Sequence, residues 1–358
     1  MMRTVVAGAA LTGAMAAAAW GGAAQAAEID LRMAIISSEN SIYYEDMAKP
    51  FADLVAELTD GRVEIEILPA GTVGSVLKLH DAVQDGLIDM AQTTPIFLGT
   101  SDLVNAMVAS FPTGLGVDSY LPWLYQAGGL ELWQEHRRET MGMHALVTSL
   151  GPSEFFAHAN EPITGADDLE GKKFRTLGNW AAIVEENYGV SPTVVAGSEI
   201  YGMLEKGGID MAEYSIPSEN QKIGFHEVAK YIIYPGIQAP AWAFETVMLT
   251  ETWESLPEDI QRRMELAAEL TTHRSLQAMI TRDLKALEEL QDGGNAFVRL
   301  DDAFIADAQE KARAWAMRLA EQAQAEGDDL PMRLAESVFG FQDYWRDNAK
   351  YLVMDYRK

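Results

Sequence analysis

The chain has 358 residues, no cysteine and a formal charge of −27 at pH 7. So acidic a chain is a poor partner for nucleic acid or for anionic membrane surfaces. Without cysteine there is no disulfide framework, thiolate nucleophile or thiolate metal site, so stability rests on hydrophobic cores, which a chain of this length builds as about two domains.

Residues 1–26 place Arg3 ahead of an alanine-rich apolar run and close on Ala24-Gln25-Ala26, the small-x-small pattern of a cleavage site. This reads as a secretory signal peptide cut between Ala26 and Ala27, which predicts a soluble, exported, periplasmic protein. Cleavage removes one base and no acid, taking the charge from −27 to −28. No later apolar stretch approaches the ~20 residues of a membrane span.

Ile29 to Ile36 alternates and is rich in branched residues, the pattern of a strand. Tyr43 to Thr59 has helical apolar spacing and stops at Asp60-Gly61. Val63 to Leu68 is a period-two strand, Val76 to Asp85 a helix, and Leu87 to Thr93 a third strand. This order predicts a parallel sheet with crossover helices. Phe111 to Leu132 is irregular, with glycines, prolines and aromatics, and leads into a helix through Arg137 and Arg138. His144 to Ser149 and Phe155 to Ala159 read as strands crossing toward a second lobe, and repeated crossings make a hinge.

The second lobe repeats the logic of the first. GKKFRTL is a strand, Trp180 to Tyr188 a helix, Ser191 to Val195 a strand, Ser198 to Lys206 a helix capped by Ser198, and Gly208 to Tyr214 a strand. DGLIDMAQ (85–92) is echoed by KGGIDMAE (206–213), with Gln92 and Glu213 at equivalent strand ends. In open α/β sheets that edge is where ligands sit. From Pro257 one helical pattern runs ~35 residues, or ~50 Å, enough to cross both lobes. Two more helices follow, near 301–326 and 331–352. The last carries Phe339, Phe341, Tyr344, Trp345 and Tyr351, a stripe that packs as core or forms a homodimer interface.

The chemistry centres on Arg175, at the end of KKFRTL, and on Glu213-Tyr214. Arginine keeps its charge and offers a planar fork matched to a carboxylate, so Arg175 is either a structural ion pair or the anchor of a small organic anion. Beside a bound carboxylate, Glu213 is repulsive unless a cation lies between them. Glu154, Glu213 and the Tyr214 carbonyl are oxygen donors suited to Na⁺ or Ca²⁺. Trp180, Trp242, Phe97, Tyr43 and Tyr44 are candidate cleft walls, although a single aromatic is more often core. The six histidines fall at no metal-ligand spacing, and there is no phosphate loop, dinucleotide fingerprint or nucleophile elbow, so nothing specific points to an enzyme.

DDLEGKKFRT, GSEIYGMLEKGGIDMAE, LPAGTVG and AVQDGLIDMA together resemble the DctP-like periplasmic solute-binding proteins of tripartite ATP-independent periplasmic (TRAP) transporters, over nearly the whole chain after the leader. More narrowly, AEYSIPSENQKIGFHEVAKYIIYPG is similar to the branch that binds 2-oxo and 2-hydroxy monocarboxylates with a metal ion. That branch shows Glu-Trp, a GPYDDEKLGF-like run and YYYPG.

The resemblance implies an α/β fold of the type II periplasmic-binding-protein kind. Two similar lobes with parallel-type sheets would flank a ligand cleft, joined by hinge strands and a long helix, with C-terminal helices added. It makes Arg175 the ligand-carboxylate arginine and Glu213 the metal-binding glutamate. Tyr214 stands for the branch's tryptophan, and Glu154 falls near its metal-ligating glutamine, where the extra charge favours Ca²⁺ over Na⁺ or alters the ligand. The implied partner is the TRAP membrane permease, and no catalytic cofactor is implied. The expected division is 27–150 for the first lobe, 151–256 for the second, 257–293 for the long helix and 294–358 for the C-terminal helices. A sulfonate or other organic anion, and an enzyme acting on a carboxylated substrate, are the alternatives.

Overall fold

The computed structural model describes residues 27–99 and 102–352; the expected signal peptide lies outside them. Eleven strands are described: β1 (Ile29–Ile35), β2 (Val63–Leu68), β3 (Met90–Thr93), β4 (Met143–Gly151), β5 (Ala157–Ala159), β6 (Lys173–Arg175), β7 (Ser191–Thr193), β8 (Met211–Ala212), β9 (Tyr231–Tyr234), β10 (Trp242–Leu249) and β11 (Ala296–Arg299). They form two sheets, ordered β2-β1-β3-β10-β4 and β11-β9-β5-β8-β6-β7.

Each sheet is mixed rather than purely parallel, and the mixture records how the chain passes between lobes. The β2-β1-β3 and β7-β6-β8 triads are parallel, as their crossover helices require. Next to β3 lies β10, and next to β8 lies β5, each antiparallel because it arrives from the other lobe. The chain therefore crosses from β4 to β5 and returns from β9 to β10. The stretch 242–249, expected in the second lobe, is a strand of the first sheet, and β11, expected among C-terminal helices, is an edge strand of the second.

The sequence echo has a physical basis. Asp89 Oδ2 accepts the main-chain N–H of Arg32 at 2.8 Å, and Asp210 Oδ2 accepts that of Lys173 at 2.7 Å. In each lobe the aspartate before β3 or β8 pins the neighbouring strand, while Met90 or Met211 enters the core. The strand expected over 208–214 is confined to Met211–Ala212, although the Asp210 and Glu213 N–H groups still donate to the Lys173 and Arg175 carbonyls at 2.9 and 3.1 Å.

Other local expectations shift for identifiable reasons. The irregular stretch after Phe111 holds the helices Val117–Gln126 and Gly129–Met141; Pro122 lies inside the first and breaks its apparent pattern. The helix expected from Ser198 is Gly197–Glu205, capped not by Ser198 but by Glu199, whose carboxylate accepts the Ala196 N–H at 3.3 Å.

The helix Glu258–Asp292 runs 35 residues and touches both lobes. Ile260 and Met264 pack with Leu146 and Met248 of the first sheet, whereas Leu290 packs with Phe155 of the first crossing and Ile232 of the second sheet. Adjacent residues near its end hold opposite lobes: Arg282 Nη2 donates to Asp46 Oδ1 at 2.8 Å, and Asp283 Oδ1 accepts the Ser218 N–H at 2.9 Å. The helices Asp302–Ala325 and Leu330–Asn348 complete the fold. Phe339 of the last is buried core against Phe111, while Tyr344 and Tyr351 are exposed.

Candidate functional site

Between the sheets lies a cleft of about 910 Å³ counting its solvent-filled mouth. It brings together Arg175, Glu154, Glu213, Tyr214, Trp180, Phe97, Tyr43 and Trp242. Tyr44 packs instead on the first-lobe core beside Phe51 and Val55. Gln92, the counterpart of Glu213 in the echo, is buried with its Nε2 3.4 Å from Thr148 Oγ1 and does not line the cleft.

Arg175 ends β6, flanked by β7 and β8, and is only 3% exposed. Its Nε and Nη2 donate to the Val195 carbonyl at 3.3 and 3.1 Å, and Nη1 donates to the Glu213 carbonyl at 2.7 Å. The Tyr214 ring lies 5.6 Å from the guanidinium carbon. The nearest contact to the Glu213 carboxylate is 3.5 Å, the weakest in the set. Backbone carbonyls thus orient the guanidinium without neutralising it.

Glu213 follows β8 and is buried. Burial raises its carboxyl above the ordinary range, against the pull of Arg175. Glu154 sits in the first crossing, half-buried, within hydrogen-bonding reach of Glu213. Burial and then the charge of Glu213 push it well above the usual carboxylate range. The two crossings hold it in place: its N–H donates to the Ala239 carbonyl at 3.1 Å, and a Cβ on Gly236 would come 2.1 Å from its carbonyl oxygen. Only glycine permits that approach. A Cβ at Gly197 would likewise meet the Tyr214 ring at 2.2 Å, so the bare first residue of the helix Gly197–Glu205 makes room for the ring beside Arg175.

The donor set suits a hard cation in kind. Glu154 and Glu213 supply carboxylates, Tyr214 a main-chain carbonyl, and Gln238 a buried Oε1 without a partner. Among the described residues no group of three or more His, Cys, Asp or Glu gathers, so a cation here takes its remaining ligands from neutral oxygens.

Aromatic residues form the remaining wall. Tyr43 stacks on Phe244 at 5.2 Å, lies 6.3 Å from Trp242, and donates its hydroxyl to Ser215 Oγ across the lobes at 2.9 Å. Trp180 is almost wholly buried against Phe156 and Tyr188, so it belongs to the second-lobe core as much as to the cleft.

Two contributors escape sequence reasoning. Asn179 Nδ2 reaches the Ala106 and Ser110 carbonyls of the first lobe at 3.3 and 3.1 Å, and Gln238 Nε2 donates to the Phe155 carbonyl at 2.8 Å. Their only sequence signal is proximity, to Arg175 for one and to the YIIYPG turn for the other.

Two lobes joined by reciprocal crossings flank a cleft with one buried arginine, the architecture of a solute receptor. Residues 33–322 match the bacterial extracellular solute-binding proteins of family 7, DctP, and the chain belongs to that family. It is a solute-binding protein of the TRAP type, not an enzyme. A monocarboxylate 2-oxoacid-binding periplasmic protein of Nostoc is 29% identical over 265 residues, 73% of this chain and 71% of the relative.

Among solved structures, a TRAP solute-binding protein of Bordetella bronchiseptica has a TM-score of 0.83 at 22% identity, covering 92% of this chain and 96% of that one. It is a mixed-occupancy dimer with copurified calcium and picolinate in one active site. One from Pseudoalteromonas atlantica, with sodium and pyruvate, also reaches 0.83, at 23% identity, covering 91% and 99%. Among the described residues no helix is long and apolar enough to cross a membrane.

Proposed function

We propose that this receptor captures a small 2-oxo or 2-hydroxy monocarboxylate together with a cation and delivers it to a TRAP membrane permease. Arg175 clamps the ligand carboxylate. Glu213, Glu154 and the Tyr214 carbonyl hold the cation between protein and ligand. Tyr43, Trp180 and Phe97 close the walls. The leader directs export and is cleaved between Ala26 and Ala27. The lobes meet at the two crossings, with the long helix laid across both, and the exposed Tyr344 of the last helix and Tyr351 of the three-ten turn after it are suited to a homodimer contact.

The observation that carries this reading is a single buried guanidinium, the one basic side chain lining the cleft among the described residues, beside the buried Glu213 and the half-buried Glu154. The named ligand of the Nostoc relative supports it. Charge balance favours Ca²⁺ over Na⁺: two carboxylates and a bound carboxylate against one arginine leave two negative charges, which a divalent ion cancels. The test is calorimetry with pyruvate, lactate, succinate, glucuronate and an alkylsulfonate, each in calcium, in sodium and in chelator. Tightest binding of a 2-oxo or 2-hydroxy acid, dependent on calcium, is expected. Tighter sulfonate binding, or binding indifferent to cations, contradicts the assignment.

A further inference from the structure

Away from the crossings, two contacts between the lobes are built differently. In the larger, the first-lobe helix Leu103–Ala109 touches the second-lobe helix Gly178–Tyr188, and Val104, Met107, Ile183 and Val184 belong to a single buried core. A Cβ on Gly178 would come 2.5 Å from Ile96 Cδ1, and Asn179 adds its two bonds to first-lobe carbonyls. The C-terminal helices brace this contact. Arg318 of Asp302–Ala325 pairs with Glu186 of the second lobe at 2.7 and 2.8 Å, and Arg313 of the same helix pairs with Asp343 of Leu330–Asn348 at 3.2 and 3.0 Å. Ser337 of that last helix accepts Trp123 Nε1 of the first lobe at 3.1 Å. Parting the lobes here would uncover a continuous core, at a cost that grows with the apolar area exposed.

The other contact is small and mostly polar. The first-lobe stretch from Asn40 through the π-helical turn Tyr43–Ala48 meets Ser215, Ile216 and the second-lobe helix Pro217–Ile223. Such turns are frequent at functional positions. Ile216 is buried with Ile42, Met47 and Met279 of the long helix. Around it, Tyr43 donates its hydroxyl to Ser215 Oγ at 2.9 Å, Lys222 Nζ donates to the Asn40 carbonyl, and the same Nζ stands 3.9 Å from Glu45 Oε1. Three consecutive residues each hold a buried polar atom without a partner among the described residues: Ser218 Oγ, Glu219 Oε2 and Asn220 Oδ1. The Glu219 carboxyl lies at the Ile42 N–H, across the seam. Parting the seam uncovers little apolar surface and lets water reach atoms whose burial is unfavourable. The long helix holds both sides through Arg282 to Asp46 and Asp283 to Ser218, so parting also releases one of these polar bonds.

We propose that this seam is a latch: the lobes part here, pivoting on the larger contact, and the Tyr43–Ser215 and Lys222–Asn40 bonds set what share of the time the cleft stays shut. Each bond joins protein groups, so the latch engages with the cleft empty or filled, and a ligand adds to it. Tyr43 lines the cleft and Ser215 directly follows Tyr214, so the latch adjoins the site on both lobes. It does not depend on which anion the cleft takes.

The chain has no cysteine, so spin labels go only where cysteines are introduced. E39C with E227C spans the seam and E131C with E185C the larger contact, all four at exposed positions. Double electron–electron resonance reads both distances without ligand and with pyruvate in calcium-containing buffer. Without ligand the seam pair is expected to show a near and a far population, while the other pair varies less. Ser215→Ala and Lys222→Met, each checked for an unchanged melting transition, are expected to lower the ratio of near to far population about three- to tenfold, the loss of a hydrogen bond. A far population alone, a larger spread in the E131C and E185C pair, or a ratio unmoved by both substitutions overturns the latch. Pyruvate that moves neither pair counts against the monocarboxylate reading instead, because the latch is judged on the ligand-free chain.

Discussion

Two buried arginines show what distinguishes the proposed ligand anchor from a structural ion pair. Arg137 is wholly buried and grips Glu245 through Nε and Nη2 at 2.6 to 3.1 Å, with Trp133 Nε1 donating to the same carboxylate at 2.8 Å. Burial alone would raise Glu245, but Arg137 and His80 outweigh it and hold the carboxyl at about 2. Arg175 has no such partner; its close bonds go to carbonyls, and its charge is left for something else. From sequence the two look alike, since both sit near apolar runs in an acidic chain, and only the positions of Glu245 and Glu213 separate them.

Glu154 carries the next prediction. Glu154→Gln keeps an oxygen donor but removes one of two crowded charges. In chelator the variant is expected to melt higher than wild type, because the repulsion with Glu213 is relieved. Its calcium affinity is expected to fall about tenfold, as one ligand charge is lost. Differential scanning fluorimetry with and without calcium reads both effects. Unchanged calcium stabilisation would remove Glu154 from the cation site.

At the scale of elements, the parallel triads were legible because alternation, turn residues and helix stops agree there. Crossing strands were harder. The three residues of β5 and two of β8 give too few positions for a period, and β10, with every residue but Leu249 buried, offers no alternation to reveal its sheet. The long helix was plain from its length and its start after Pro257, yet its use as a strut depends on Arg282 and Asp283, which no pattern marks.

Asp283 yields a pH-dependent prediction. Burial raises its carboxyl to about 6 from an ordinary 3.8, even though it accepts the Ser218 N–H. The folded state therefore favours the protonated form. The contribution of this group is present below pH 4 and is lost as pH rises through 4 to 6, amounting to about 2–3 kcal/mol by neutral pH. Asp283→Asn retains an oxygen acceptor without the charge. It is expected to be more stable than wild type at pH 7.5 by about 1–2 kcal/mol and equal to it at pH 4, as read by urea unfolding. Lower stability at both pH values would mean that the charge itself holds the second-lobe helix.

For the whole molecule, the dominant fact is a strongly acidic body that captures an anion. The field of −27 formal charges repels the ligand at long range, and the attraction of Arg175 acts only within the cleft. Ligand association is therefore expected to speed up with salt, by about two- to fivefold between 10 and 200 mM ionic strength, as screening shortens the reach of the repulsion. Stopped-flow tryptophan fluorescence measures this, with Trp180 and Trp242 in the cleft wall as reporters. Closure follows from the same geometry. On the proposed assignment the anchor stands on one lobe and an apolar wall on the other, so a ligand would touch both only when they approach, and its preference for that state would drive the hinge.

The most direct test is ligand binding to Arg175→Lys and Arg175→Ala, measured by calorimetry beside wild type with a 2-oxo monocarboxylate in calcium. Circular dichroism checks the fold, since both changes leave the Val195 and Glu213 carbonyls short of donors. Folded variants that bind about 100-fold more weakly or not at all, as the loss of a charge-assisted pair requires, are the predicted result. A folded Arg175→Ala that keeps wild-type affinity would contradict it.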